Sequence, residues 1–262
     1  MSSKWKVRFD EVPHRLPKDG HGCLGVGDGV GTDGMYDINR LAAWMARTGA
    51  NVVSLNEVER YTGWGNEDQP ARFASLLRSK TGRTWYYNFA QGDENPTGVV
   101  NLVLSTYPIE TDEDYELSYS RSIARVAILI NGIRVNVFST HLDHESSARR
   151  AIQIRELKSW VGMFAEQRIV AGDFNAWPGA SEISEMTSTY DDTWAEAKTA
   201  GLAVAYAGNE QGNTRNSRID YVFSSESATR LQLKQVRVFD TRDSRGHTPS
   251  DHRPVMATFE IR

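Results

Sequence analysis

The chain has 262 residues, 39% of them hydrophobic, and its 30 Lys and Arg against 34 Asp and Glu leave a net charge of −4. This charge excludes a generally basic surface for nucleic acid, although a local basic groove stays open. Cys23 is the one cysteine, which excludes a disulfide framework. No apolar run reaches membrane-spanning length, and the N-terminus lacks a signal-peptide core. We expect a soluble, cytoplasmic monomer, or a secreted protein if a signal peptide was removed.

The elements predicted from periodicity begin with a helix at 37–48, with Asp37 as its N-cap and Gly49 as its stop. A strand at 51–58 follows, and then a helix that opens at Pro70 and runs through ARFASLLRSK, with Gly82 just after it. The next predicted elements are strands in WYYNFA, VVNLVLS, SIARVAILI and IRVNVFSTHL, and then a helix at 146–166. The last are a strand ending in GDFN, a helix in ASEISEMTSTY, and strands in RIDYVFSS, LQLKQVRVFD and RPVMATFEIR.

The strongest short-range signal is Asn131-Gly132 between two apolar strands, which is typical of a tight hairpin. The helix at 146–166 is predicted to bury a stripe made of Ile152, Leu157, Trp160, Val161 and Phe164. No repeat, low-complexity tract or linker divides the chain. Hairpins mixed with helices favour stacked sheets covered by helices in a single domain over residues 1–262.

Polar residues recur at the ends of the predicted strands, where loops can converge on one site. A lone acid there is usually solvated or caps a turn, and a lone His is usually structural. The clustering of these residues at the strand ends instead favours a functional site. The candidates are Glu57, His141, Asp143, Asp173, Asn175, Asp220, Asp251 and His252.

The residue types indicate acid–base chemistry with a hard metal ion. Asp220 lies inside an apolar strand, where an unpaired carboxylate would be costly, and His252 could be its partner and act as a general base. Glu57 and Asp251 offer oxygen ligands that suit Mg²⁺ or Mn²⁺ rather than zinc. Asp173 and Asn175 are two residues apart, so the period of a strand would place them on one face.

These residues occur within the motifs LNEV, STHLD, GDFN, RIDYVF and SDHRPV, and LSTYPI lies between the first two. In this order, over residues 31–262, the motifs resemble the endonuclease/exonuclease/phosphatase superfamily, the fold of deoxyribonuclease I, sphingomyelinases and inositol polyphosphate 5-phosphatases. The resemblance implies a four-layer α/β/β/α sandwich that cleaves a phosphoester with a divalent metal. It implies these roles: metal binding for Glu57, phosphate contact for His141, positioning of nucleophile and phosphate for Asp173 and Asn175, and a dyad of Asp220 with His252.

The N-terminal region departs from the family pattern. The family's first strand ends in an Asn, and counting back from GTDG places that position near Gly25, where this chain has no Asn. The glycine run around it matches neither a P-loop nor an EF-hand. Asp28 or Asp33 could supply a ligand instead, or the run could be a flexible loop.

Three hypotheses follow for the function. The first is a Mg²⁺-dependent phosphoesterase, the second a nuclease, and the third a catalytically weak binding module of the same fold. The nuclease would need a basic groove, for which SARRAIQIR, with Arg149, Arg150 and Arg155, is the only cluster. The charge therefore favours a small or lipid-like phosphoester over duplex nucleic acid. Specificity is expected from loops 60–70, 91–98 and 207–217, with Asp143, Trp64 and Arg215 as candidate substrate contacts.

Overall fold

The computed structural model describes residues 2–3, 5–10, 26–27, 29–61, 66–91 and 98–262. The helices in these ranges are α1 (Ile38–Thr48), α2 (Gln69–Thr81), α3 (Ser147–Val161), α4 (Ser181–Met186) and α5 (Thr193–Thr199). The strands are β1 (Ser2–Ser3), β2 (Trp5–Asp10), β3 (Val26–Gly27), β4 (Val52–Arg60), β5 (Tyr86–Gln91), β6 (Gly98–Ser105), β7 (Ile109–Leu117), β8 (Arg121–Ile130), β9 (Ile133–His141), β10 (Arg168–Asp173), β11 (Tyr190–Asp192), β12 (Ala203–Val204), β13 (Asp220–Ser225), β14 (Leu231–Val238) and β15 (Val255–Ile261).

Two mixed sheets carry the fold. The six-stranded sheet has the order β11-β13-β10-β9-β8-β7, and the seven-stranded sheet has the order β12-β14-β15-β2-β4-β6-β5. In the first sheet β10 is parallel to β9 and antiparallel to β13. In the second, β2 is parallel to β15 and antiparallel to β4. The short strands β1 and β3 pair with each other.

The alternation of side chains along each strand divides the interior into three apolar cores. Ile169 and Ala171 of β10 pack in the core between the two sheets, whereas Val170 faces the other way, into the core beneath α3 and α4. A third core packs α1 and α2 on the seven-stranded sheet. The layers are therefore helices, sheet, sheet and helices, which confirms the predicted α/β/β/α sandwich.

The helix boundaries follow their capping residues. The Asp37 side chain accepts from the backbone N–H of Arg40, 2.9 Å away, and Gly49 ends α1 in the left-handed conformation. Ser146 caps α3, which ends at Val161, earlier than predicted. Phe164 lies beyond the helix and still packs on the same core. None of the helices in the described ranges combines the length and the apolar character needed to cross a bilayer.

Strand β7 and helix α5 were not predicted. The side chains of β7 are mostly exposed, because it is the edge strand of its sheet, and its acid-rich sequence IETDEDYEL carries no strong apolar alternation. The hairpin at Asn131-Gly132 is confirmed, with φ angles of 50° and 76° at these residues. Both angles match the turn type that Asn-Gly favours.

Strand β2 is the first strand of the large sheet within the described ranges. Trp5 pairs with Ser54, and the last residue, Asp10, pairs with Glu260 at the C-terminal end of β15. Gly25 and Asp28 lie outside the described residues. Asp33 forms an ion pair with Arg40, with Nη1 2.6 Å from Oδ2, and the hydrogen bonds from Arg40 hold the pKa of Asp33 well below its usual value. Asp33 is therefore engaged structurally.

Gly172 in β10 gives the first testable prediction. A Cβ at this position would clash with the backbone oxygen of Thr140 in the neighbouring strand β9. Gly172→Ala should therefore lower the free energy of unfolding by about 3 kcal/mol, the upper end of typical overpacking costs. Gly179→Ala is the matched control, since its Cβ would meet the Trp177 ring at an ordinary 3.5 Å. Urea denaturation of both variants measures the difference, and equal stabilities would contradict the close approach of β9 and β10.

Candidate active site

Three candidate residues stand side by side across the six-stranded sheet. Asp173 at the end of β10 is in register with His141 of β9 on one side and with Asp220 of β13 on the other. Neighbours in register point to the same face of a sheet. Since Ala171, two residues before Asp173, faces the core between the sheets, this row faces the end of the same space.

Glu57 reaches the site from the opposite sheet through a β-bulge. Its backbone is in the left-handed region, with φ at 50°, and the β4–β6 register shifts between Leu55 and Val58. Asn56 and Glu57 therefore stand opposite the single residue Asn101. Strict alternation would turn Glu57 away from the space between the sheets. The bulge instead lets it line an open cleft at the end of the sandwich.

An open cleft of about 430 Å³ lies at this end of the sandwich. It contains six of the residues singled out from sequence, together with four others. The described residues lining it are Glu57, Glu59, Val99, Arg121, His141, His144, Asp173, Asn175, Arg215 and His252. The polar residues at the ends of separate strands therefore converge on one site.

The predicted pairing of Asp220 with His252 is present. Both carboxylate oxygens lie 2.8 Å from Nδ1 of His252, and the two side chains are almost completely buried. The Thr214 hydroxyl also donates a short hydrogen bond to Oδ2 of Asp220. With Nδ1–H facing a carboxylate, the neutral ring carries its basic nitrogen at Nε2.

His141 occupies the centre of the polar contacts in the cleft. Arg121 donates from Nη1 to Nδ1 of His141 over 3.1 Å, and Oε1 of Glu57 lies 3.7 Å from the same nitrogen. On the other side of the ring, Nε2 lies 3.1 Å from the side-chain nitrogen of Asn175 and 3.8 Å from Oδ2 of Asp173. The imidazole is thus held between residues of both sheets.

Asn175 reaches the cleft by a route different from the predicted one. Strand β10 ends at Asp173, and Asn175 is left-handed, with φ at 49°. The two-residue period of a strand therefore does not relate the two side chains. Instead, the Asp173 carboxylate accepts from the backbone N–H of Asn175 over 2.7 Å, and the Asn175 side chain donates to the Leu142 carbonyl over 3.0 Å.

Asn56 is a buried residue of the site that sequence reasoning missed. Its side-chain nitrogen donates to Asn101 Oδ1 over 2.7 Å and to Ser139 Oγ over 3.3 Å, and its oxygen accepts from the backbone N–H of Asp173 over 3.2 Å. Asn56 therefore ties β4 of one sheet to β9 and β10 of the other. Its position directly before Glu57 was the signal that could have identified it.

The other predicted site residues lie outside the cleft wall. Asp251 is held by Arg215, with Nη2 2.7 Å from Oδ2. Asp143 accepts from the backbone N–H groups of Glu145 and Ser146 at the start of α3 and pairs with Arg149. Burial opposes the ionisation of Asp143, but these hydrogen bonds outweigh it and lower its pKa. Trp64 lies outside the described residues.

Arg121, His144, Glu59 and Val99 line the cleft without having been singled out. A lone Arg before a strand carries no sequence signal, and His144 follows the STHLD motif that could have drawn attention to it.

Two of the three arginines in the basic cluster on α3 are engaged by carboxylates. Arg150 is buried against Glu182, with a separation of 2.9 Å, and Arg149 pairs with two carboxylates. Among the three arginines of this segment, only Arg155 is left as an exposed cation without an assigned ion pair.

Two sets of side chains in the described part of the chain could hold a metal ion. Asp173, Asp220 and His252 offer ligand atoms that lie within 4.8 Å of one another. However, the oxygens of Asp220 are engaged by His252 and Thr214. Glu57 and Asp173 instead both line the open cleft, and their oxygens are the donors that hard divalent cations prefer. Glu57 and Asp173 therefore have the donor chemistry that a hard divalent ion requires.

Comparison with known proteins agrees with this geometry. The profile of the Endonuclease/Exonuclease/phosphatase family matches residues 27–252. No curated protein sequence matches the chain. The chain belongs to the Endonuclease/Exonuclease/phosphatase family, whose members hydrolyse phosphoesters.

Solved structures with low sequence identity share the fold. A protein of this family from Leptotrichia buccalis has a TM-score of 0.66 at 17% identity, covering 86% of this chain and 92% of that chain. The human Nocturnin catalytic domain with bound sulfate has a TM-score of 0.63 at 16% identity, covering 88% and 91%. A mannosyl-6-phosphatase from Bacteroides thetaiotaomicron has a TM-score of 0.59 at 18% identity, covering 83% and 88%.

Asn56→Ala tests the link between the two sheets. The substitution removes the acceptor for the Asp173 N–H and the donor to Asn101, both buried, and should lower the free energy of unfolding by about 2–4 kcal/mol. Asn216→Ala, which truncates an exposed amide, is the control. Chemical denaturation should separate the two variants, and a loss at Asn56 no larger than at Asn216 would mean that the link contributes little.

Proposed function

We propose that the protein is a divalent-metal-dependent phosphoesterase in which water, activated by the Asp220–His252 dyad, attacks phosphorus in line. The observation that carries this proposal is the buried dyad opening onto the same cleft as Glu57 and Asp173. Family membership supports hydrolysis of a phosphoester. The third hypothesis, a weak binding module, gains no support from a cleft that holds this many acid–base groups together.

The proposed metal ligands are Glu57 and Asp173, with Mg²⁺ or Mn²⁺ as the ion. Asp251 remains a proposed ligand whose Oδ2 is held by Arg215. When bound, the ion would neutralise charge that develops on the phosphoryl oxygens. The donor set is all oxygen, which disfavours zinc.

The proposed proton transfer involves His252. Nδ1 donates to Asp220, so Nε2 accepts a proton from water, and the carboxylate stabilises the imidazolium that forms. Thr214 donates to the same carboxylate and helps to keep it aligned. Burial of the dyad excludes competing solvent contacts, which keeps the tautomer fixed.

The remaining residues would orient the substrate. His141 and Asn175 lie together at the cleft wall and would donate hydrogen bonds to phosphoryl oxygens, which gain charge in the transition state. Asp173 would position the attacking water beside them. Arg215 is an exposed candidate for substrate contact at the rim.

The proposed substrate is a small or lipid-like phosphoester rather than duplex nucleic acid. The net charge of −4 and the ion pairs of Arg149 and Arg150 support this preference, because duplex binding relies on several unpaired cations. The name of the mannosyl-6-phosphatase that shares this fold indicates a small phosphomonoester as its substrate, which is consistent with the proposal.

Metal dependence tests the proposed function. Phosphomonoesters, phosphodiesters, lipid head groups and plasmid DNA are assayed with Mg²⁺, with Mn²⁺ and with EDTA. Hydrolysis should vanish in EDTA and return with either ion. Glu57→Gln should weaken Mn²⁺ binding in calorimetry because it removes an anionic ligand, whereas Glu196→Gln, at an exposed position on α5, should not. Turnover that survives thorough chelation would overturn the mechanism.

A double-mutant cycle tests the dyad. His252→Ala should lower turnover by roughly two to four orders of magnitude, as expected for loss of a general base. Asp220→Asn should reproduce much of this loss because an amide cannot stabilise the imidazolium. The double variant should be little worse than His252→Ala, since residues that act together are non-additive. Losses that multiply, in variants shown by circular dichroism to be folded, would mean that the residues work independently.

A further inference from the structure

Arg121 lies at the end of the row of site residues beyond His141. It is the first residue of β8 and lines the cleft. Its Nη1 donates to Nδ1 of His141 over 3.1 Å, and its Nη2 donates to Nδ1 of His144 over 3.2 Å. Since a guanidinium can only donate, both imidazoles act as acceptors toward it. Neither contact supplies the negative charge of a carboxylate partner.

Two other arginines at or near the cleft pair with carboxylates, and Arg121 differs from them. Arg215 pairs with Asp251, and Arg149 pairs with Asp143 and Glu145. Within the described ranges, Arg121 has no carboxylate oxygen within 4.0 Å, which is the limit for an ion pair. Burial lowers the pKa of Arg121, and the carboxylates of Glu57, Asp143, Asp173 and Glu145, none of them within ion-pair distance, oppose this effect without outweighing it. A partly buried cation of this kind is stabilised by an anion that enters the cleft.

The turn before Arg121 holds it in place. Tyr119 and Ser120 are both left-handed, with φ angles of 65° and 54°, although neither is Gly or Asn. Such conformations cost energy and persist only where neighbouring contacts enforce them. The neighbouring contacts are at Ser118, whose backbone N–H donates to Glu156 over 3.0 Å and whose carbonyl accepts from Gln153 over 2.8 Å.

Gln153 links this turn to the loop that carries His144. Its side-chain oxygen accepts from the backbone N–H of Asp143 over 2.9 Å, while its nitrogen binds Ser118, and the side chain is fully buried. The segment before Arg121 and the segment before His144 are therefore fixed to one residue of α3. The guanidinium is positioned before any ligand arrives.

We propose that Arg121 is the anion-binding residue of the cleft and that its guanidinium holds the non-bridging oxygens of the substrate phosphoryl group. This inference rests on the proposed function and adds a substrate-binding residue to it. Two of the five guanidinium N–H groups are engaged by the imidazoles, so the planar fork still has donors for two oxygens of a phosphate. Phosphomonoesters and phosphodiesters share this chemistry.

Calorimetric titration with inorganic phosphate tests the site, in EDTA and separately in Mg²⁺. The proteins are the wild type, Arg121→Met, Arg121→Lys and the control Arg149→Met, all checked for folding by thermal unfolding. Arg121→Met should weaken phosphate binding by roughly tenfold to a hundredfold, as expected for loss of charge-assisted hydrogen bonds. Arg121→Lys should restore part of the affinity, since it keeps the charge without the fork. Arg149→Met should bind phosphate as the wild type does.

Three results would overturn the assignment. They are unchanged phosphate affinity in folded Arg121→Met, an equal loss in Arg149→Met, and no saturable phosphate binding by the wild type in either buffer. Steady-state kinetics of the wild type and of Arg121→Met are then measured with a phosphomonoester and with a phosphodiester. The substrate whose kcat/KM falls in Arg121→Met identifies the class of phosphoester that the site binds. A wild type that binds phosphate through Arg121 but hydrolyses no phosphoester would refute the proposed function and leave the anion site standing.

Discussion

The pairing register of β9, β10 and β13 is the constraint on which the site depends. It places His141, Asp173 and Asp220 side by side, facing the end of the space between the sheets. A slip of one residue would turn every side chain of a strand to its other face. The register is held by apolar residues of the same strands, such as Ile169 and Val222, which must stay in the central core. Packing of the core therefore also aligns the polar row.

Directional contacts between the two sheets complete the site. Apolar packing alone permits small shifts of one sheet over the other, whereas hydrogen bonds fix distances. Ser54 donates to Ser139 across the gap over 2.7 Å, and Asn56 binds both Ser139 and the backbone of Asp173. These contacts hold the bulge of β4 against β9 and β10. The distance between the carboxylates of Glu57 and Asp173 thus depends on buried amide and hydroxyl groups that take no direct part in the proposed chemistry.

The buried and partly buried charges of the site region differ in how they are compensated. Asp220 is balanced by His252 and Thr214, and Arg150 is balanced by Glu182. Such pairing offsets the cost of removing ions from water. Arg121, by contrast, contacts only imidazole acceptors within the described chain. A site built to bind an anion benefits from an uncompensated cation, because the ligand then supplies the missing charge.

The sequence by itself determined the layers of this protein and most of the residues of its cleft. The period-two runs and the capped helices favoured stacked sheets covered by helices, because alternation and capping are local properties of the chain, and the family resemblance of the strand-end motifs implied the four-layer sandwich. The strand-end positions of Glu57, His141 and Asp173 were also visible, since a polar residue after an apolar run stands out. The need of Asp220 for a partner followed from its apolar neighbours.

Only the tertiary structure decided which of these residues meet and how. The bulge that turns Glu57 inward needs the pairing of β4 with β6, and the left-handed backbone of Asn175 breaks the period that predicted its direction. Asp251 and Asp143 looked equivalent to the other acids but are held by Arg215 and by the start of α3. Arg121 gave no local signal, because its neighbours His141 and His144 are brought to it by the β8–β9 pairing. Contacts between distant segments depend on register and sheet packing, which no short window of sequence contains.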